Sequence, residues 1–345
     1  MIIIAGPTGV GKTELSLKLA AQFKNPAIVN ADLGQLYTPL TIGTAKPDWR
    51  NEPVPHYLFD ILDQPENFTA FEYRRLVSKL FKKLKLQVAN SPENSSPDSC
   101  TKELKATPIL VGGSGFYLQA LFFESPLDKI SPQASDNSGV IYDNNSRLEN
   151  LKLWEKLNLI DPVRAQAIDP QDSYRVQRAL EIWQRYKILP SQAKPIFAPI
   201  IPKIEKIKLI VLTRDLPELY ARIDQRVLEM LDAGWLTEVQ GLVGTPWEKF
   251  LLTKRLIGYD DLLTSLKSAG DLENLAASTV QLIQKRSRNY AKRQIAFFKM
   301  LTRQLTENSA GQIEIEWLNL TATDVDLYIK RLLSDPNFAN LANKK

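Results

Sequence analysis

The chain has 345 residues, of which 44 are Lys or Arg, 39 are Asp or Glu, and 44% are hydrophobic. This ordinary balance excludes wholesale disorder, collagen and a coiled coil, and the length predicts one large core with a smaller appended or inserted unit. The sequence has one cysteine, Cys100, and one histidine, His56, which excludes a disulfide framework, a multi-cysteine zinc site and histidine-based catalytic triads. The net charge of +5 permits an anionic partner without requiring one.

Short apolar segments alternate along the chain with segments of helical periodicity. The first apolar run, residues 1–5, precedes a glycine-rich turn and a helix-forming stretch, and further runs lie at 27–31, 107–111, 207–212 and 313–318. Near-continuous apolar strands that alternate with helices are typical of a parallel sheet covered on both faces. We therefore predict an α/β fold with a parallel sheet flanked by helices.

Two polar segments, 90–105 and 125–146, interrupt this alternation and are rich in Ser, Pro and Asn. We interpret the first as a surface loop. The second precedes a helical segment at 148–159, so we interpret residues 122–171 as a helical insertion that projects from the core. The predicted organisation is a first part of the core at 1–121, the insertion at 122–171, and the continued core with C-terminal helices at 172–345.

We expect a cytoplasmic protein that acts as a monomer. No apolar run approaches the roughly 20 residues that a membrane-spanning helix needs. The apolar run at 1–5 also lacks the basic lead-in and the cleavage site of a signal peptide. The sequence therefore predicts no membrane partner.

Residues 6–13 fit the pattern Gly-x-x-x-x-Gly-Lys-[Ser/Thr] and lie between a predicted strand and a predicted helix. Its glycines let successive N–H groups point inward, the helix start adds partial positive charge, and Lys12 adds a full charge. The hydroxyl of Thr13 would be a ligand of Mg²⁺ that bridges the phosphates. The motif predicts a P-loop NTPase-like core in which a diphosphate or triphosphate is bound by Gly6, Pro7, Thr8, Gly9, Val10, Gly11, Lys12 and Thr13.

This motif does not specify the reaction, and three classes of protein are compatible with it: a small-molecule kinase, a transferase that releases pyrophosphate, and a nucleotide-driven switch or ATPase. An ATPase needs an acidic residue after a further strand to help hold Mg²⁺. The strand at 109–111 is followed by Gly-Gly-Ser-Gly, which contains no carboxylate. This disfavours an ATPase, whereas Asp32, at the end of the second predicted strand, keeps the kinase open.

Several motifs follow one another in an order that resembles one enzyme family. They are residues 6–13, 32–37, 42–47, 55–60, 111–117, 172–181, 222–226, 257–259 and 291–294. In these motifs, and most specifically in 42–47, the chain is similar to the tRNA dimethylallyltransferases (tRNA adenosine-37 isopentenyltransferases) of bacterial type. The resemblance implies transfer of a dimethylallyl group from dimethylallyl diphosphate to N6 of adenosine 37 in tRNAs that read codons beginning with U. The products would be N6-dimethylallyladenosine and pyrophosphate.

The resemblance also implies roles for single residues. Asp32 matches the family's general base, which takes a proton from the weakly nucleophilic adenine amine. The alternative is that Asp32 binds a water of Mg²⁺ or only caps its own loop. Thr8 and Arg226 match catalytic positions that, together with Lys12, stabilise charge on the departing pyrophosphate. Mg²⁺ is the implied cofactor. The tRNA-binding positions are matched by Leu33, Gly34, Gln35, Gly115, Arg175, Arg178 and Arg255, and the insertion corresponds to the domain that holds the anticodon stem.

The segment 274–306 contains no acidic residue but seven cations, which are Lys285, Arg286, Arg288, Lys292, Arg293, Lys299 and Arg303. Such clustering suits a nucleic-acid backbone, and we predict Lys292 and Arg293 as tRNA contacts. A solvated helix face is the alternative. Because a stacked base cannot reach a buried carboxylate, the target adenosine would have to leave its stack.

The sequence departs from the family pattern at five positions. Leu33 stands where Ser is usual, and Ser114 replaces a common Thr. Asp169 and Gln171 stand where His and Asn are usual, and Asp260 replaces a basic residue. We expect these differences to affect tRNA recognition more than the chemistry.

Overall fold

The computed structural model describes residues 1–86, 106–126, 147–200, 206–269 and 276–339. The predicted loop at 90–105 lies outside the described residues. So does the polar segment at 125–146, apart from its first two residues, 125 and 126. Within the described ranges, no helix combines the length and the apolar character that crossing a membrane requires. The chain divides into two compact units, one formed by Met1–Ala120 with Ile200–Lys345 and the other by Leu121–Pro199.

Strands and helices alternate through most of the described chain. The elements are, in chain order, β1 (Ile2–Ala5), α1 (Lys12–Ala20), β2 (Pro26–Asn30), a 3₁₀ turn (Gly34–Leu36), β3 (His56–Tyr57), α2 (Ala70–Leu86), β4 (Thr107–Gly112), α3 (Gly115–Phe122), β5 (Phe123–Glu124), α4 (Arg147–Ile160), α5 (Pro162–Gln166), α6 (Ser173–Tyr186), β6 (Ile196–Phe197), β7 (Ile207–Thr213), α7 (Leu216–Asp232), α8 (Trp235–Gln240), α9 (Pro246–Lys254), α10 (Tyr259–Ala269), α11 (Ala277–Asn308), β8 (Ile313–Asn319), α12 (Val325–Ser334) and α13 (Pro336–Ala339). Each apolar run predicted as a strand forms one.

The larger unit is built on a six-stranded sheet with the order β3-β2-β4-β1-β7-β8, in which every neighbouring pair is parallel. Ile2, Ile3 and Ile4 of β1 are fully buried in its centre. Leu15 of α1 and Ile223 of α7 belong to the same hydrophobic core. Burial of strands beneath helices is the reason why their sequences read as continuous apolar runs. The predicted α/β fold, with a parallel sheet flanked by helices, is confirmed.

Strand register places three connecting segments at one edge of this sheet. Ala5 at the end of β1 pairs with Gly112 at the end of β4, and Asn30 at the end of β2 pairs with Val111. The segments after β1, β2 and β4 therefore leave the sheet side by side at the carboxyl ends of its strands. Ligands of open α/β sheets bind at this edge, where strand order reverses.

A carboxylate from α8 holds the segment 41–43. Glu238 accepts hydrogen bonds from the backbone N–H groups of Thr41 at 3.0 Å, Ile42 at 2.7 Å and Gly43 at 3.3 Å. The hydroxyl of the fully buried Tyr259 donates to the same carboxylate at 2.6 Å. Helices from the second half of the chain therefore fix a loop that follows β2.

The indole of Trp235 packs between two glycines. A Cβ atom at Gly43 would lie 1.9 Å from Nε1 of Trp235, and a Cβ atom at Gly258 would lie 1.9 Å from Cη2 of the same ring. Real Cβ atoms do not approach other heavy atoms so closely, so any larger residue would have to displace the buried indole. Only glycine fits at these two positions.

The smaller unit has its own helical core. Leu157 of α4, Ala165 of α5 and Leu180 of α6 pack together, and Nε1 of Trp154 donates to the backbone oxygen of Ala165 at 2.9 Å. The strands β5 and β6 form an antiparallel pair. Because α6 and β6 complete this unit, it extends to Pro199, whereas the boundary drawn from the sequence lies at residue 171.

We predict that Gly43→Ala lowers the free energy of unfolding by about 1–3 kcal/mol, because the new methyl group collides with Trp235. Chemical denaturation in urea measures this change. Gly241→Ala is the matched control, since its Cβ atom would have no neighbour nearer than 3.5 Å and its backbone is in the ordinary helical region. Equal midpoints for the two variants would contradict the packing described here.

Candidate active site

The phosphate-loop motif connects β1 to α1, as the sequence predicts. The ammonium of Lys12 bends back over the loop and donates to the backbone oxygens of Gly6 at 3.0 Å and Pro7 at 2.8 Å. Among the described residues, no acceptor is bound by the backbone N–H groups of the next part of the loop, which are those of Gly9, Val10, Gly11, Lys12 and Thr13. Unpartnered N–H groups at the start of a helix are a ready site for an anion. The side chain of Thr13 is exposed at this point.

Two arginines of the second half of the chain hold the loop from outside. Nε of Arg214 donates to the backbone oxygen of Val10 at 2.9 Å, and its guanidinium pairs with Glu218. Nε of Arg222 donates to the backbone oxygen of Gly9 at 3.1 Å. The sequence analysis missed Arg214; its position directly after the apolar run of β7 is the signal that could have indicated it.

Asp32 lies after β2, in the segment next to the phosphate loop. One oxygen of its carboxylate accepts the backbone N–H of Gly34 at 3.1 Å, so the side chain does cap its own turn. The other oxygen, Oδ2, accepts no hydrogen bond from the described residues. Burial raises the pKa of Asp32 above its ordinary value, although Lys12, the N–H of Gly34 and Arg226 act in the opposite direction. A carboxylate with a raised pKa and a free oxygen can accept a proton.

Lys12 and Arg226 are the two cations that act on this carboxylate. Burial lowers the pKa of Lys12 to about 8, with Asp32 opposing this shift and Arg226 adding to it. Burial also lowers the pKa of Arg226, which Asp32 opposes. The guanidinium of Arg226 makes no hydrogen bond or ion pair within the described part of the chain. The site therefore holds two cations, one carboxylate and a row of free N–H groups, a composition that suits a bound anion.

The residues that follow Asp32 are held by backbone contacts. The N–H of Leu33 donates to the hydroxyl of Ser114 at 3.0 Å, so the hydroxyl that Ser114 retains is in use. Gly34 is buried. The side-chain amide of Gln35 donates to the backbone oxygens of Thr44 at 3.2 Å and Ala45 at 3.3 Å. The side-chain nitrogen of Gln35 thus fixes the 42–47 segment. The side-chain oxygen of Gln35 is left for other contacts.

Lys46 anchors the same 42–47 segment. Its side chain and that of Asp60 are 2% and 6% exposed and form a buried ion pair, and Nζ of Lys46 also donates to the backbone oxygen of Tyr37 at 2.8 Å. The backbone N–H of Asp60 in turn donates to the backbone oxygen of Gln35 at 3.2 Å. The motifs 42–47 and 55–60 therefore meet at this ion pair and support the turn after Asp32.

Helix α11 lies against the site with its polar and aromatic side chains. Oε1 of Gln294 accepts the backbone N–H of Thr8 at 2.9 Å, and Nε2 of Gln294 donates to the backbone oxygen of Gly113 at 2.9 Å. Phe297 lies so close to Gly115 that a Cβ atom there would be 2.3 Å from Cδ1 of the ring. The sequence analysis placed Gln294 in a motif but assigned it no role.

The cations of α11 differ in their surroundings. Lys292 and Arg293 are exposed, with their charged groups over the rings of Tyr220 at 5.5 Å and Tyr290 at 5.8 Å. Arg286 pairs instead with Asp260 and Asp261, and Arg288 pairs with Asp224. Arg255 is exposed at the end of α9, and its backbone oxygen accepts a hydrogen bond from Arg286 at 3.2 Å. The exposed cations available to an anionic partner are therefore fewer than the sequence analysis counted.

Arg175 and Arg178 lie on α6 in the smaller unit. Arg175 pairs with Asp172 at 3.2 Å and Arg178 pairs with Glu181 at 2.6 Å. Their side chains are 64% and 42% exposed. The pair of Arg175 with Asp172 lies at the surface, where ion pairs are weak and can exchange for other anions. Arg178 pairs instead with the buried Glu181, which Arg185 also contacts at 3.2 Å. Both arginines stay predicted tRNA contacts.

Comparisons with known proteins identify the family of the chain. Residues 35–301 match the family model described as IPP transferase. The chain is 32% identical to tRNA dimethylallyltransferase of Latilactobacillus sakei over 93% of this chain and 92% of the relative, and 32% identical to the enzyme of that name from Petrotoga mobilis over 97% and 98%. It also resembles the crystal structure of a tRNA isopentenylpyrophosphate transferase from Staphylococcus epidermidis, with a TM-score of 0.58, 28% identity, and coverage of 97% and 98%. The chain therefore belongs to the IPP transferase family.

Proposed function

We propose that the protein is a tRNA dimethylallyltransferase, which transfers the dimethylallyl group of dimethylallyl diphosphate to N6 of adenosine 37 in tRNAs that read codons beginning with U. The observation that carries this proposal is the half-buried Asp32 carboxylate, which interacts electrostatically with Lys12 and Arg226, next to the free N–H groups of the phosphate loop. The names of the relatives support the same activity.

The reaction assigns each part of the site one task. The bond between the allylic carbon and the diphosphate oxygen breaks, and its electron pair leaves with pyrophosphate. Lys12, Arg226 and the loop N–H groups stabilise the charge that collects there. N6 of adenine bonds to the allylic carbon and loses one proton to the free oxygen of Asp32. The hydrogen bond from Gly34 holds the other oxygen, which keeps the base in place.

Mg²⁺ is part of the proposal, and the residues present fit an ion that arrives with the substrate. The described residues contain no group of three or more His, Cys, Asp or Glu that could hold a metal by themselves. Mg²⁺ is commonly bound by one or two protein oxygens together with substrate phosphates. The exposed hydroxyl of Thr13, at the start of α1, is the protein oxygen we propose. When bound, the ion would neutralise charge on the diphosphate.

The tRNA would bind as a flipped-out adenosine at Asp32 and as a phosphate backbone along exposed cations. Lys292 and Arg293 on α11 are the cations that we propose for the backbone, together with Arg255. Leu33, Gly34, Gln35 and Gly115 are the residues that we propose for the base and its neighbours. The insertion at 122–171 would bind the anticodon stem, and Arg175 and Arg178 would contact the anticodon loop. The enzyme would act as a cytoplasmic monomer.

The proposed function is tested with labelled dimethylallyl diphosphate and tRNA that lacks the modification. Incorporation of label at adenosine 37 supports the proposal. ATP-dependent phosphorylation of a small molecule without any prenyl transfer would identify a kinase instead. Replacing adenosine 37 by guanosine in the tRNA is the control for the site of transfer.

Asp32→Asn should reduce kcat by roughly 10²–10⁴-fold, because an amide cannot accept the proton of N6. The asparagine oxygen can still accept the N–H of Gly34, so the turn should keep its conformation. The affinity for tRNA should therefore change by less than about twofold. Single-turnover rates and a filter-binding titration measure the two quantities. Loss of tRNA affinity together with an intact rate of transfer would assign Asp32 to recognition.

The dependence of kcat/KM on pH should be bell-shaped when the donor is limiting. Asp32 must be ionised to act as a base. Because burial raises its pKa, the loss of activity on the acid side should occur at a pH above the ordinary pKa of about 3.9 for aspartate. On the alkaline side activity should fall as Lys12 loses its charge near its pKa of about 8. Rates measured from pH 4.5 to 9.5 in one mixed buffer test this expectation. A flat profile over that range would exclude both assignments.

Lys292→Ala combined with Arg293→Ala should weaken tRNA binding and reduce its salt dependence. Each phosphate contact contributes about 0.7–0.9 to the slope of log K against log salt, so the slope should become smaller by roughly 1.5. Lys82→Ala combined with Lys83→Ala removes the same charge from adjacent exposed positions of α2 and should leave the slope unchanged. An identical slope in both double variants would show that α11 does not contact the backbone.

A further inference from the structure

The carboxamide of Gln294 is buried and hydrogen-bonded at both ends. The residue is 6% exposed, its oxygen accepts the N–H of Thr8 at 2.9 Å, and its nitrogen donates to the backbone oxygen of Gly113 at 2.9 Å. A Cβ atom placed on Gly113 would lie 2.6 Å from Nε2 of Gln294 and 3.5 Å from Nζ of Lys12. The carboxamide and the ammonium are therefore neighbours across this glycine.

The N–H of Thr8 belongs to the same peptide unit as the carbonyl of Pro7. No peptide bond of the described chain is cis, and in a trans peptide the N–H and the carbonyl point in opposite directions. Gln294 holds this peptide by its N–H, and Lys12 donates to its oxygen at 2.8 Å on the other side. The orientation of one peptide plane thus connects the buried carboxamide to the ammonium.

The N–H of Thr8 is also the exception among the central N–H groups of the loop. It donates to Gln294, whereas those of Gly9 to Thr13 have no acceptor among the described residues. Rotation of the Pro7–Thr8 peptide would point the carbonyl of Pro7 toward Gln294 and remove an acceptor from Lys12. Such a carbonyl would face the oxygen of the carboxamide, so the present orientation depends on Gln294.

We propose that Gln294 is a positioning residue for the diphosphate site, which fixes the plane of the Pro7–Thr8 peptide and, through the oxygen of Pro7, the place of the Lys12 ammonium. It contacts neither donor nor tRNA in this role. The inference rests on the proposed function in so far as the donor's diphosphate binds at this loop. Binding of inorganic pyrophosphate tests it without any transfer reaction.

Gln294→Met keeps the length of the side chain and removes both hydrogen bonds. We expect its dissociation constant for pyrophosphate, measured by calorimetry with Mg²⁺ present, to rise roughly tenfold to a hundredfold, since two buried polar groups lose their partner. In the transfer assay the KM for dimethylallyl diphosphate should rise similarly, and the KM for tRNA should stay within about twofold of wild type. A role in packing alone would not separate the two KM values.

Gln304→Met is the matched control on the same helix. Its side-chain oxygen accepts a hydrogen bond from Gln119 at 3.2 Å, so the substitution also removes a contact of α11 with a neighbouring helix. It should leave pyrophosphate binding as in wild type. Equal affinities of Gln294→Met and Gln304→Met for pyrophosphate would overturn the proposal.

Gln294→Glu tests the two hydrogen bonds by pH. A neutral carboxyl group can accept the N–H of Thr8 and donate to the oxygen of Gly113, whereas a carboxylate can only accept. Burial of the introduced carboxyl disfavours its charged form and should raise its pKa above that of an exposed glutamate. The ratio of variant to wild-type dissociation constants for pyrophosphate should therefore rise between pH 5.5 and 7.5, a range below the pKa of about 8 of Lys12. The new carboxylate also acts on Lys12, Asp32, Arg226 and pyrophosphate as a charge, and the uncharged Gln294→Met variant separates that repulsion from the loss of the hydrogen bonds.

The outcomes separate this inference from the proposed function. If wild-type protein binds pyrophosphate but transfers no prenyl group, the proposed transferase function is disproved. The role of Gln294 is then still decided by the pyrophosphate affinities of the variants. A ratio for Gln294→Glu that is constant over the pH range would overturn the role of the two hydrogen bonds. This second variant also carries the test if Gln294→Met fails to fold, because at pH 5.5 it can form both bonds.

Discussion

The structure depends on keeping one carboxylate charged next to two cations in a partly buried site. Burial alone disfavours the charged forms of Asp32, Lys12 and Arg226, and the charges of opposite sign partly restore them. Such a group is stable only if its members cannot separate, because an unpaired buried charge costs several kcal/mol. Two cations against one carboxylate also leave an excess of positive charge, which an incoming diphosphate would compensate.

Because these three charged groups must stay together, the loops around them have to be held in place by contacts from other parts of the chain. The parallel strands bring the three loops to one edge, but a glycine-rich loop has few side chains with which to hold its shape. Arg214 and Arg222 bind its carbonyl groups, and Gln294 binds its peptide at Thr8. Every one of these contacts is made from the second half of the chain, so the site forms only when that half has folded onto the sheet.

The same division explains what the sequence could predict. The phosphate loop and Asp32 are local signals, since a strand followed by a fixed spacing of glycines, or by an acid, predicts where both lie. Arg214 and Gln294 act over separations of 204 and 286 residues, and neither periodicity nor composition predicts such a contact. The boundary at 171 differed from the observed unit for a similar reason: the sequence shows that α6 is amphipathic but not that its apolar face packs on α4.

The motif most specific to the family, residues 42–47, contacts the residues that hold the turn after Asp32. Residues 42–47 contribute a buried cation, Lys46, which pairs with Asp60. Buried ion pairs add little net stability and are better explained by the single arrangement that they allow. Asp60 is also held by Arg50 at 2.7 Å and by the indole of Trp49 at 3.1 Å. Asp60 is linked through its backbone to Gln35, and Gln35 is linked to the 42–47 segment by its side chain. These linked contacts hold the turn that begins at Asp32, so residues 42–47 influence the orientation of that carboxylate through Gln35 and Asp60.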